Sequence, residues 1–275
     1  MRPSWEGDQS LALGLQSIGV RFGGLVALED VSLQVPAGGI VGVIGPNGAG
    51  KTTLFNVVCG FVKPNSGTMT LNGAILRPRP HQLNKLGIAR TLQGVGLFNG
   101  MTVLENVVAG ATHTISSGFT SAILGLPPSD REERRLRDEA MALLSEFHVD
   151  KYAGAYPAML PYALRKRVAL ARALSAKPRL LLLDEPAGGL GHEDIEELVT
   201  LVTGLPKRSD GAACSVLLVE HHMDFVMRVC DSIVVLDFGR VIATGTPQQV
   251  QDNPAVAEAY LGTEVGDDEV TGATA

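Results

Sequence analysis

IVGVIGPNGAGKTTLFNVV, Ile40 to Val58, decides the fold. The apolar run IVGVI reads as a buried strand and leads directly into Gly45, Pro46, Asn47, Gly48, Ala49, Gly50, Lys51 and Thr52, a match to G-x-x-x-x-G-K-[ST]. The residues that follow, TTLFNVV, suit a helix. Glycines let the backbone turn so tightly that successive N–H groups converge on phosphate oxygens, and the helix adds its positive N-terminal end. Lys51 is then expected to reach the β- and γ-phosphates and the Thr52 hydroxyl to ligate Mg²⁺, with Thr53 beside it in the phosphate-binding set.

Outward from this stretch, further short apolar runs have the length of buried strands: Leu180 to Leu183, Ser215 to Val219 and Ile233 to Leu236, with the first beginning at Gly39. Amphipathic segments such as Glu193 to Val202 lie between the later ones. The expectation is an α/β fold with a parallel core. Leu11 to Phe22, Val31 to Val35 and Gly67 to Leu71 alternate apolar and polar residues, and Asn72-Gly73 is a hairpin turn signal, so antiparallel strands stand beside that core. Ser129 and Glu132 have capping-box spacing before Leu136, Ala140, Leu143, Leu144 and Phe147, which predicts a helix from Ser129. That helix is assigned to a helical subdomain, about 95–175, inserted between two core strands.

RLLLLDEP, Arg179 to Pro186, is an apolar strand ending in two carboxylates. In the company of the phosphate loop, Asp184 is expected to hold the Mg²⁺ shell and Glu185 to polarise the attacking water. A net charge of −6 over 275 residues argues against a general nucleic-acid surface. Cys59, Cys214 and Cys230 stand singly, without the pairing of a disulfide framework or zinc site, which fits a reducing cytoplasm. No stretch reaches the roughly 18 to 20 apolar residues of a membrane span, and MRPSWEGDQS lacks the apolar region of a secretory signal. The last residues, 263–275, are acidic and small, the composition of a solvated tail.

Together these residues resemble the ATP-binding cassette ATPases of ABC transporters, over about Leu11 to Gly262. The resemblance implies a P-loop NTPase (RecA-like) parallel core with an N-terminal antiparallel β subdomain and the inserted helical subdomain. It identifies Gln93 in ARTLQ as the Q-loop glutamine that senses Mg²⁺ and the lytic water. It likewise makes His221 in LLVEHH the switch histidine on the γ-phosphate, and Phe22 the aromatic on which adenine stacks. RFGGLVAL, IARTLQ followed by LFNGMTVLENV, Thr112 to Asp130 and AEAYLG are similar to the longer ATPase subunit of branched-chain (hydrophobic) amino-acid importers. The implied partners are membrane permease subunits, a second ABC ATPase subunit and, indirectly, an external substrate-binding protein. The implied place is the cytoplasmic face of the membrane.

Two motifs depart from the family pattern. The signature, LSGGQ or L-[SA]-Y-G-Q, which grips the γ-phosphate of the opposite subunit, is here Leu160, Pro161, Tyr162, Ala163 and Leu164. Pro161 has neither hydroxyl nor N–H, and Ala163 adds a methyl where backbone must approach phosphate, so a weakened trans contact is expected. The alternative is that Pro161 starts the helix and that the Ala163 N–H with Arg165 or Lys166 compensates. Gly191 also stands where the family's D-loop usually has Asp. A nucleotide-binding regulatory subunit with weak hydrolysis and a soluble non-transport ABC ATPase are the competing readings.

Overall fold

The computed structural model describes residues 11–91, 95–111, 127–207 and 214–267, with the side chains of 127–130 and 261–267 left aside. Residues β1 (Leu11–Phe22), β2 (Leu25–Pro36), β4 (Ser66–Leu71) and β5 (Ala74–Ile75) form an antiparallel sheet in the order β2-β1-β4-β5. Asn72 and Gly73, both at positive φ, make the two-residue turn that joins β4 to β5. The second sheet has the order β10-β9-β3-β8-β7-β6, from β3 (Ile40–Ile44), β6 (Ile88–Arg90), β7 (Leu180–Asp184), β8 (Ser215–Val219), β9 (Ser232–Asp237) and β10 (Arg240–Gly245). Neighbours from β9 to β6 pair in parallel, and β10 closes one edge as an antiparallel hairpin with β9.

The parallel strands are apolar at nearly every position because both faces are covered. Successive residues alternate between two cores. Ile40 and Ile44, Leu181 and Leu183, Val216 and Leu218, Ile233 and Val235 pack with the helices. Val41 and Val43, Leu180 and Leu182, Leu217 and Val219, Val234 and Leu236 pack against the antiparallel sheet and α1 (Lys51–Val58). At about 1.5–3 kcal/mol per fully buried Val, Leu or Ile side chain, this double layer is what holds the strand ends in place.

Between β6 and β7 the chain makes α2 (Val103–Gly110), α3 (Pro127–Glu146) and α4 (Tyr162–Ser175), which pack on one another. Val103, Val107, Leu144, Phe147 and Val168 belong to the same buried cluster as the sheet residues Ile44 and Leu183, so these helices share a core with the sheet. One expectation needs correction. The helix expected from Ser129 begins at Pro127, with proline favoured in a first turn where no N–H is needed, so Ser129 is inside it and not at its cap. α8 spans Pro254–Asp267, and 268–275 lie outside the described residues. β6 and β10 have no counterpart among the expected strands, β6 being three residues long and too short to carry a pattern. The remaining helices are α5 (His192–Gly204), α6 (Met223–Val229) and α7 (Pro247–Gln251).

Candidate nucleotide site

The site residues gather at the carboxyl ends of the parallel strands, where an open α/β sheet has its crevice. After β3, Gly45, Gly48 and Gly50 take φ values of 149°, 80° and 101°, outside what side chains adopt at ease. A Cβ on Gly45 would stand 2.0 Å from the Leu236 carbonyl oxygen, and one on Gly50 would stand 2.7 Å from that of Ala27. Gly50 caps α1, with Lys51 as its first residue. Lys51 Nζ donates to the carbonyls of Gly45 (2.6 Å) and Pro46 (2.8 Å), bracing the loop from within. Burial lowers the Lys51 pKa and the Glu185 charge partly offsets this. Asn47, Gly48 and Thr52 are exposed, Thr53 is half-buried, and Pro46 and Ala49 are buried. A glycine-shaped loop closed by an ammonium and opening a helix fits a polyphosphate, and the hydroxyl of Thr52 with the carboxylate of Asp184 are the hard oxygen donors that suit Mg²⁺.

Asp184 ends β7 almost wholly buried, its Oδ2 2.8 Å from the Arg90 guanidinium. Arg90 lies over the rings of Phe55 and Phe61, 5.0 and 5.6 Å from their centroids, and also donates to Asn56 Oδ1. Glu185 takes a left-handed φ of 48°, with its N–H donating to the Val219 carbonyl. A non-glycine residue there is uncommon and is held only where its surroundings over-determine it. Here Lys166 of α4 helps, Nζ donating to the carbonyls of Glu185 (2.9 Å) and Pro186 (2.8 Å). At the end of β8, His221 Nδ1 lies 3.9 Å from Glu185 Oε1.

The fold thus brings Asp184, Glu185 and His221 together beside the P-loop strand. Phe22 is at the tip of the β1–β2 hairpin, paired with Leu25, and both are exposed, at 50% and 66%. β2 reaches the phosphate loop through the Ala27 carbonyl near Gly50. Gln93 lies outside the described residues, as does most of Thr112 to Asp130.

Leu160 is buried, and Pro161, at φ −52° and ψ 153°, is the N-cap of α4 without a side-chain hydrogen bond. Tyr162 packs against Gly189, where an added Cβ would meet its ring at 3.1 Å, and Arg165 and Lys166 both lie 5.4 Å from the ring centroid. Ala163 and Leu164 follow half-buried in the first turn, Leu164 packed on the helical core. A cleft of about 390 Å³ is walled by Thr91, Tyr162, Lys166, Asp184, Glu185 and His221 among others. Gly191 is the N-cap of α5, again without a side-chain acceptor. Sequence reasoning missed Arg90 and Glu220, and it named Lys166 only as a possible phosphate contact, not as the brace on the Glu185 and Pro186 carbonyls. Only Glu220 carried a signal, a carboxylate placed between an apolar strand and two histidines.

A glycine loop after a central strand, an acid pair at the end of the strand two places away and a histidine just past the end of the strand between them define an ATP-binding cassette, and the chain belongs to the ABC transporter family, whose model matches residues 28–188. Residues 240–266 further match a branched-chain amino acid ATP-binding cassette transporter model. The chain is 38% identical over 251 residues to the high-affinity branched-chain amino acid transport ATP-binding protein BraF of Pseudomonas aeruginosa, covering 91% of this chain and 97% of that one. The same values hold for LivG of Escherichia coli, which has the same description. In structure it is similar to the ADP conformation of MJ1267, an ATP-binding cassette of an ABC transporter, with a TM-score of 0.76 and 27% identity, covering 92% of this chain and 99% of that one.

Proposed function

We propose that this chain is the ATP-hydrolysing subunit of an importer for branched-chain amino acids or related small solutes, acting from the cytoplasmic face of the membrane on separate permease subunits. The cargo follows from the likeness to BraF and LivG. Among the described residues no helix is long and apolar enough to cross a membrane, in keeping with a subunit that works through permeases. The observation that carries the hydrolytic reading is the 3.9 Å approach of Glu185 Oε1 to His221 Nδ1, at the ends of neighbouring parallel strands and one strand from the phosphate loop.

In this reading the N–H groups of Gly48 to Thr53 cradle the phosphates of ATP. Lys51, with two protons committed to loop carbonyls, directs the third to a phosphate oxygen. Thr52, Asp184 and Gln93 hold Mg²⁺, which neutralises charge on the phosphates when bound. Phe22 supplies a stacking face for adenine. Glu185 accepts the proton of the attacking water, and His221 steadies the oxygens of the transferred phosphoryl group. Glu185→Gln is expected to leave Mg·ATP affinity unchanged in calorimetry and to slow hydrolysis by the assembled transporter about a hundredfold or more. Hydrolysis at the unaltered rate would remove Glu185 from the role of base.

A further inference from the structure

Glu220, at the end of β8, has a fully buried side chain, and its carboxylate takes three backbone N–H groups. Oε1 accepts from Ala187 at 2.6 Å; Oε2 accepts from His221 at 2.8 Å and His222 at 3.0 Å. Ala187 is two residues beyond Glu185, in the segment that continues to Gly191, whereas His221 begins the turn after β8. One side chain therefore ties the loop after β7 to the loop after β8. The Glu220 N–H donates in turn to the Val43 carbonyl of the phosphate-loop strand. Hydrogen bonds to an ionised acceptor are roughly twice as strong as neutral ones, and a buried carboxylate needs such donors to be tolerated.

We infer that Glu220 is a positioning residue for hydrolysis, a buried clamp that fixes the separation of Glu185 and His221. The inference rests on reading those two as the hydrolytic pair. Glu220 makes no hydrogen bond to either side chain, although its Oε2 lies 3.9 Å from His221 Nδ1; its hydrogen bonds go to the backbone on both sides of their gap. Glu220, His221 and His222 could bring ligand atoms within 4.8 Å of one another, but three amide donors already occupy most of the carboxylate's lone pairs. Burial lowers the Lys166 pKa, and the charge of Glu220, followed by that of Glu185, partly offsets the fall.

The isosteric change Glu220→Gln shows why charge and symmetry matter here. A carboxylate presents an acceptor to each loop, whereas an amide presents one oxygen and turns its NH₂ against the remaining N–H. One loop is released. Misplacement of a reacting group by about 1 Å costs on the order of a hundredfold in rate, so kcat should fall at least tenfold with KM for Mg·ATP unchanged.

The test begins with the unaltered full-length chain by amide NMR: the protons of Ala187, His221 and His222 should lie downfield and exchange slowly with solvent. In Glu220→Gln, and in Glu220→Asp, which keeps the charge on a shorter arm, at least one of the three should move upfield and exchange faster. Steady-state hydrolysis by the assembled transporter is measured alongside, with Glu185→Gln as the control for the underlying reading. Fast exchange of these amides in the unaltered chain would overturn the clamp without recourse to any variant. Unaltered kcat in a folded Glu220 variant, with Glu185→Gln inactive, would overturn the positioning role alone. A fully active Glu185→Gln protein would overturn the hydrolytic reading and this inference together. A loss confined to kcat, with the amide shifts changed as described, supports it.

Discussion

At the scale of single residues, the charges of the site are held by neighbours that no motif names. Asp184 is 6% exposed and its partner Arg90 14%, so the pair is largely out of water. Removing one member of such a pair leaves an uncompensated buried charge, a change that costs about 3–5 kcal/mol. Arg90→Met is therefore expected to lower the stability to urea by about 3 kcal/mol, and adding Asp184→Asn should return part of the loss. A change below about 1 kcal/mol would match an exposed pair instead. Arg90→Lys is not a conservative swap, because an ammonium cannot lie flat between Phe55 and Phe61 while bridging Asn56 and Asp184.

Elements are placed by close approach as much as by hydrophobic pattern. Gly110, the last residue of α2, meets α4 so closely that an added Cβ would stand 2.1 Å from the Arg172 carbonyl oxygen and 2.3 Å from Ser175 Oγ. Ser175 Oγ is also 2.8 Å from the Val107 carbonyl, linking the same two helices. Helix propensity favours Gly110→Ala by about 0.5–1 kcal/mol, but the contact lies against backbone that cannot yield without separating the helices. We expect Gly110→Ala to destabilise by about 1–3 kcal/mol, read as a fall in the thermal midpoint; a rise would mean that propensity wins. At the N-cap of α5 the reverse holds. Among the described residues, and leaving out its two chain neighbours, nothing lies within 4 Å of a Cβ on Gly191, so Gly191→Asp fits, and as a cap it should add only a few tenths of a kcal/mol.

For the whole molecule, the altered signature bears on assembly. We propose that the working unit is an asymmetric heterodimer, because this chain has an intact phosphate loop and hydrolytic pair but a signature whose N-cap, Pro161, offers no hydroxyl. A partner with an intact signature would complete one strong site on this chain's P-loop. Its own nucleotide would face Pro161 and Ala163. Loss of part of a trans grip on developing phosphate charge should cost about tenfold to a thousandfold in rate. ATPase activity is to be measured for the chain alone, with its partner subunit, and with Pro161→Ser and Ala163→Gly combined. Because Pro161 is a cap, the Ser change should also stabilise α4, by about 1 kcal/mol, so thermal midpoints must be followed with the rates. Cooperative turnover by the chain alone on the order of 1 per second, unimproved by the two substitutions, would contradict the asymmetric unit.

From its sequence alone the chain could be read as a parallel core with a phosphate loop. IVGVI and LLLLD are apolar at consecutive positions, which only strands covered on both faces require, and the loop glycines must be glycines wherever backbone comes within 2.0 Å of a Cβ. The apolar run before them likewise marks Asp184 and Glu185 at a strand end, whereas His221 is singled out only by the family resemblance. What sequence could not show is what joins them. Arg90 to Asp184, Lys166 to the Glu185 and Pro186 carbonyls, and Glu220 to Ala187 are contacts between residues 19 to 94 positions apart. They exist only because the fold places β6, β7 and β8 side by side and lays α4 against the loop after β7, and no periodicity along the chain encodes which buried charge will find which partner. A helix start is hidden for a related reason: Ser129 has the local chemistry of a cap, but the helix there begins at Pro127.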